Sequence, residues 1–212
     1  MLASAAAGSS PIALWYLSRA TGVATLVLLS LTVALGVTHV KRLHTRRVPR
    51  FVVDGVHRNV ALLSVVFLAV HVLTAVTDSY VSIGLVHVFL PFGSGYRPFW
   101  IALGALSVDL TLAVVITSLL RRRIGHRIWR AVHWLAYASW PVALAHSLGT
   151  GPDAGSTWML ALTSLCVTPV LAAALARLAD ARKRRPPGPS SRRAGTPSRS
   201  PGALAAPVAG VR

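Results

Sequence analysis

The sequence predicts an all-α integral membrane bundle of five transmembrane helices, and three observations predict it. Of 212 residues, 54% are hydrophobic and only 13% charged, whereas soluble domains carry about 25% charged residues. Five apolar runs each reach the ~20 residues needed to cross a bilayer as a helix. Basic residues gather in alternate connections between those runs, the pattern expected of a chain threaded repeatedly through a membrane.

The first run, Ile12 to Val37, is too long for a signal-peptide core and follows no basic segment, so it is expected to be a retained helix. The second spans Val56 to Thr77, the third Phe99 to Leu120, the fourth Ile128 to Leu148 and the fifth Thr157 to Leu178. In lipid each must satisfy its own backbone polar groups, which leaves the helix as the open choice. The chain then divides into an extracytoplasmic N-terminus (1–11), a membrane domain (12–178) and a tail (179–212) rich in Arg, Pro, Ser, Gly and Ala. That composition predicts a disordered, basic cytoplasmic tail.

The formal net charge is +17, from 22 Lys+Arg against 5 Asp+Glu. In a soluble protein this would point to nucleic acid. Here the first connection holds Lys41, Arg42, Arg46, Arg47 and Arg50, the third holds Arg121, Arg122, Arg123 and Arg127, and the tail opens with Arg182, Lys183, Arg184 and Arg185. The second has only Arg97, and the fourth has Asp153 and no basic residue. The charge therefore reads as topology and contact with anionic lipid headgroups, not nucleic acid. It predicts a multi-pass protein of the cell membrane, N-terminus outside and C-terminus cytoplasmic. Trp15, Trp100 and Trp158 fall at outer span ends, as an aromatic belt would. The apolar stretch Val81 to Leu90 in the second connection is too short to cross and is expected at the outer interface.

A single cysteine, Cys166, excludes a disulfide framework, an iron–sulfur ligand set and covalent haem attachment. The eight histidines are more informative. His39, His44, His87 and His126 fall in connections; His57 and His71 share the second span, His133 and His146 the fourth. Ionisable groups inside a membrane are costly and usually functional. His57 and His71 lie 14 residues apart, about 21 Å along a helix, and His133 and His146 lie 13 apart, about 19.5 Å. Both spans run in the same direction, so His57 can face His133 near one surface and His71 can face His146 near the other. Zinc needs about four protein ligands. A haem iron needs only two axial imidazoles, because the macrocycle supplies the rest. Two b-type haems, one at each level, follow as the expectation. One detail resists: 14 steps of ~100° leave His71 about 40° from the His57 face, but 13 steps leave His146 about 140° from the His133 face. Pro141 lies between the latter two and is expected to distort the fourth helix and re-aim His146.

These residues resemble the ferric reductase-like transmembrane domain family, which includes the membrane cores of ferric reductases and NADPH oxidases and the haem-binding membrane subunit of a periplasmic methionine sulfoxide reductase system. The resemblance rests on H-x13-H at His57/His71, H-x12-H at His133/His146, G-V-H-R at Gly55 to Arg58, R-R-R-I-G-H-R-I-W-R-A-V-H-W at Arg121 to Trp134, and S-R-A-T-G at Ser18 to Gly22. It covers roughly residues 12 to 178. It implies transmembrane electron transfer from a cytoplasmic or membrane donor to an extracytoplasmic acceptor, with His57, His71, His133 and His146 as iron ligands. Flavin- and nicotinamide-dependent relatives carry a C-terminal module of hundreds of residues; here about 34 follow the last span and no strand–G-x-G-x-x-G–helix unit occurs. The expected donor is therefore a separate flavoprotein or membrane quinol, the expected acceptor ferric iron, oxygen or an extracytoplasmic protein. The chain reads as the haem-bearing subunit of an oxidoreductase rather than a complete enzyme.

Haem propionates favour arginine. Arg58 beside His57 and Arg130 one turn before His133 are candidates at the inner level, with lipid phosphate as the competing partner. Arg19, about eight residues into the first span, is the candidate at the outer level, another polar group of the bundle being the alternative. Asp109, mid-span in the third helix, could pair with Arg19 or relay protons. Trp134, Tyr137 and Trp140 lie between the fourth-span histidines, where packing is the ordinary role. Two rival functions remain at this stage. One is a quinol-oxidising dihaem anchor for a soluble oxidoreductase, the other a haem-free transporter or structural bundle.

Overall fold

In a computed structural model the described residues are 11–39, 49–78, 84–90 and 97–183. Among them the chain is all helical, in the order α1 (Pro11–His39), α2 (Arg50–Thr77), α3 (Val86–Phe89), α4 (Pro98–Leu119), α5 (Arg121–Ile124), α6 (His126–His133), α7 (Leu135–Thr150) and α8 (Thr157–Lys183). Four helices are long and apolar enough to cross a membrane: Ile12–Thr38, Phe51–Thr77, Pro98–Leu119 and Thr157–Asp180. The first connection between 40 and 48 and the tail beyond 183 lie outside the described residues, as does part of the Val81 to Leu90 stretch.

The fourth expected span departs from a single rod. It is divided at Trp134 into α6, of 8 residues, and α7, of 16. The interruption was expected at Pro141, yet α7 runs through that proline. The disturbance lies one to two turns upstream. A proline cannot donate to the carbonyl four residues before it and crowds that carbonyl, here that of Tyr137. Tyr137 N–H in turn bonds Trp134 O at 3.0 Å, a tight three-residue turn.

α1 is the hub. It packs along α2 and also against α7 and α8, while α4 packs along α7. At the arginine-rich end, Val33, Ala34 and Val37 of α1 meet Val170 and Ala173 of α8, with Tyr137 and Trp140 of α7 packed on this cluster. Tyr137 and Trp140 therefore pack into the α1–α8 side of the bundle. Trp140 Nε1–H also donates to Ser30 Oγ at 2.8 Å. Trp140→Phe should cost about 1 kcal/mol, the usual net value of such a bond, readable as a lowered unfolding midpoint in detergent. Ser and Thr hydroxyls inside the helices donate back to carbonyls three or four residues earlier, as at Thr21, Thr25, Ser30 and Thr117. This satisfies polar groups without water. α2 leaves Leu62, Leu63, Val66 and Leu73 exposed, an apolar face suited to lipid.

Candidate metal centre

Two imidazole pairs stand at two levels of the bundle. His71 of α2 meets His146 of α7 with ring centroids 6.4 Å apart and planes at 76°. His57 of α2 meets His133 of α6 with centroids 6.5 Å apart and planes at 67°. Along α2 the levels are about 21 Å apart by helical rise. The interruption at Trp134 also resolves the phase problem, because His133 and His146 belong to different helices and no continuous 100° progression links them.

The ring separation suits one metal ion held between each pair. A metal–imidazole bond of about 2 Å, plus about 1 Å from ring nitrogen to ring centre, counted twice, gives about 6 Å. Among the described residues no group of three or more His, Cys, Asp or Glu gathers anywhere. Two nitrogen donors with no carboxylate or thiolate beside them fit a metal whose other positions are filled by a macrocycle, as in haem. At the His71/His146 level space opens between the helices: α2 packs on α1 rather than on α6 or α7, and a cavity of about 270 Å³ lies around the two rings. Its walls include Gly22, Leu29, Leu68, Val72, Gly104 and Ala143, largely apolar.

The outer faces of these rings rest on backbone. His71 Nδ1–H donates to Ser18 O of α1 at 2.8 Å, and His146 Nδ1–H donates to Trp100 O of α4 at 2.7 Å. A methyl on Gly22 would fall 2.9 Å from His71 Cε1, and one on Gly104 would fall 2.5 Å from His146 Cε1. At the other level Gly36 faces His57, where a methyl would keep an ordinary 3.5 Å from Cε1. His133 instead stacks on Trp129 at 5.0 Å, and Trp129 meets His126 at 5.2 Å with the planes tilted by 35°. His126 is exposed, so a column of rings runs from the arginine-rich surface to the His57/His133 pair. Trp129 Nε1–H donates to Ser118 Oγ at 3.3 Å and fixes the column.

The arginines expected at propionates are placed as follows. Arg58 and Arg130 are exposed at the arginine-rich end. Arg19 lines the cavity, forms an ion pair with Asp153 of the α7–α8 connection, and lies 4.6 Å from the centre of the Trp15 ring. Its carboxylate partner is thus Asp153; Asp109 is half-buried on α4. The Arg19 and Asp153 side chains are 25% and 37% exposed, so Asp153→Asn should lower stability by less than about 1 kcal/mol, measurable by thermal unfolding in detergent.

A family model described as ferric reductase like transmembrane component matches residues 21–144. The chain belongs to this family. The ferric reductase-like match contains His57, His71 and His133 and ends two residues before His146, whose ring geometry against His71 supplies what the match does not reach. No curated protein and no solved structure matches the chain.

Sequence reasoning missed several residues of this centre. His87, assigned to a connection, lies on α3 and lines the cavity, and His126 begins α6. The glycines opposite the histidines were also missed, although a signal existed: Gly22 and Gly36 are 14 residues apart, the same interval as His57 and His71. In antiparallel helices equal intervals let both pairs meet in one register, Gly22 with His71 and Gly36 with His57.

Proposed function

We propose that this ferric reductase-like protein conducts electrons across the cell membrane through two b-type haems, with His57 and His133 ligating one and His71 and His146 the other. The observation that carries the reading is the repetition of one geometry, two imidazoles about one metal diameter apart, at two levels of a family-matched membrane bundle. Each haem, when bound, supplies a one-electron Fe(III)/Fe(II) couple. The four histidines would hold the irons, and at the His71/His146 level the apolar walls at Leu29, Leu68 and Val72 would keep water away, which together with axial ligation would set the potential there. Five crossings result if α6 and α7 together make the remaining one, placing both pairs on helices of common direction.

The arginine-rich end is assigned to the cytoplasm by the positive-inside rule, and the donor, a separate flavoprotein or membrane quinol, acts there. The Trp129 column offers that donor a route of aromatic contacts to His133. The acceptor, ferric iron, oxygen or a partner protein, is reached from the opposite surface. Arg19, Arg58 and Arg130 are the cations available to propionates, Arg19 sharing its charge with Asp153.

The test is an absorption spectrum of the purified protein, oxidised and reduced, with haem quantified per chain. It is followed by reconstitution in vesicles with a reductant on one side and an impermeant acceptor on the other. A colourless preparation made with ample porphyrin would end the proposal, as would haem-loaded vesicles that pass no electrons between the two compartments.

A further inference from the structure

The two levels are built differently, and the difference lies in how the rings are held from behind. At the His71/His146 level one device occurs twice, on two unrelated helices. Ser18 and Gly22 on α1, and Trp100 and Gly104 on α4, are each a residue and a glycine four positions later. In a helix the residue four positions on covers the carbonyl of the first with its side chain. A glycine there leaves that carbonyl open, and in both cases an imidazole Nδ1–H from the neighbouring helix reaches it, at 2.8 and 2.7 Å. The close fit is visible in what a methyl would meet: His71 at 2.9 and 3.0 Å, and His146 at 2.5 and 2.6 Å, through Cε1 and Nδ1. The Nε2 atoms are the most distant of the three, at 3.7 and 3.1 Å, and so point away from the glycines.

A carbonyl only accepts, so the proton of each neutral ring resides on Nδ1 and the lone pair on Nε2. At the other level this device is missing on at least one side. His133 Nδ1 is buried with no hydrogen-bond partner, and a methyl on Gly36 would keep an ordinary 3.5 Å from His57 Cε1, so that glycine does not fit its ring as closely.

We propose that Gly22 and Gly104 are positioning residues that expose the Ser18 and Trp100 carbonyls to His71 and His146, fixing both rings as Nδ1–H donors with Nε2 aimed into the cavity, so that both axial ligands of this level would be more basic than His133 of the other. The consequence for a metal follows from general ligand chemistry. An imidazole that donates its second N–H to a strong acceptor is a more basic ligand, which favours the oxidised metal. The inference rests on the reading of the pairs as haem ligands only for this last consequence; ring orientation and tautomer stand without it.

The test uses the dithionite-reduced protein, labelled with ¹⁵N-histidine, because ferrous bis-imidazole haem is diamagnetic. Two Nδ1–H protons are expected downfield and slow to exchange, one moved by Gly22→Ala and the other by Gly104→Ala. Redox titration and the low-spin ferric resonance of the same variants should change for the His71/His146 haem only, while Gly36→Ala, at the other level, leaves that haem as it was. If no protected Nδ1–H proton exists in the wild-type protein, or if Gly36→Ala disturbs the His71/His146 haem as much as Gly22→Ala does, the inference is overturned. The wild-type measurement keeps it decidable should an alanine variant fail to fold. Should the protein bind no haem, the same ¹⁵N spectrum still reports the tautomers of His71 and His146. The functional proposal would then fall while the seating of the rings is judged separately.

Discussion

His71→Ala and His146→Ala are each expected to remove the same half of the bound haem, and the double variant to remove no more than either alone. The reason is geometric. With ring centroids 6.4 Å apart, one iron would fit between the two rings. Loss of either would leave a single ring for the iron, because no third His, Cys, Asp or Glu gathers with the pair among the described residues. Residues that act as one unit show strong non-additivity. His57→Ala and His133→Ala are expected to remove the other half, and combining one variant from each pair should abolish haem binding. The measurement is haem per chain from the reduced pyridine complex, with the reduced difference spectrum identifying which haem persists. If His71→Ala and His146→Ala removed different halves, the cross-bundle pairing would be wrong. If every variant kept its full haem, these histidines would be ordinary hydrogen-bonding residues of a helix bundle.

How much of this could be read beforehand depends on the distance over which each feature is encoded. The pairing of His57 with His133 and His71 with His146 is carried by two intervals and a direction, all contained in the chain order, and the ring contacts agree with it. Four of the five expected spans are helices of membrane length. The fourth was misjudged in detail because proline marks where a helical bond is lost but not where the chain yields. Here the tight turn forms at Trp134–Tyr137, and α7 is regular through Pro141. The partner of Arg19 was not legible either. Asp153 is 134 residues away, and a sequence shows that a membrane arginine needs a partner without showing which loop folds back to supply it. The glycines were legible in principle. Gly22 and Gly36 were overlooked because glycine in an apolar run reads as neutral filler, whereas in lipid small residues mark where another helix or side chain approaches closely.

The same logic makes Gly149→Leu the substitution expected to cost most in stability. Gly149 is buried near the C-terminal end of α7, and any side chain there would overlap the six-membered ring of Trp100 on α4. Trp100 cannot simply swing away. Its backbone is held by the first turn of α4, where Trp100 N–H and Ile101 N–H bond Arg97 O at 3.0 and 3.1 Å. Arg97, in a left-handed conformation with φ 40, donates from Nη1 to Gly149 O at 2.6 Å, so the ends of both helices are tied at the point of overlap. Overpacking in a constrained core costs about 1–3 kcal/mol, and the upper end applies here because ring, backbone and arginine would have to move together. Trp100 also supplies the carbonyl that holds His146, so the damage should not stop at stability. Gly149→Leu is expected to lower the unfolding midpoint and to loosen or lose the haem of the His71/His146 level while sparing the other, which lies about 20 Å away along the helices. Thermal unfolding in detergent reads the first effect and the reduced difference spectrum the second. A variant that unfolds normally and keeps both haems would mean that the α4–α7 contact does not position His146. The close approach of the two helices at Gly149 would then have to be judged incidental to the metal centre.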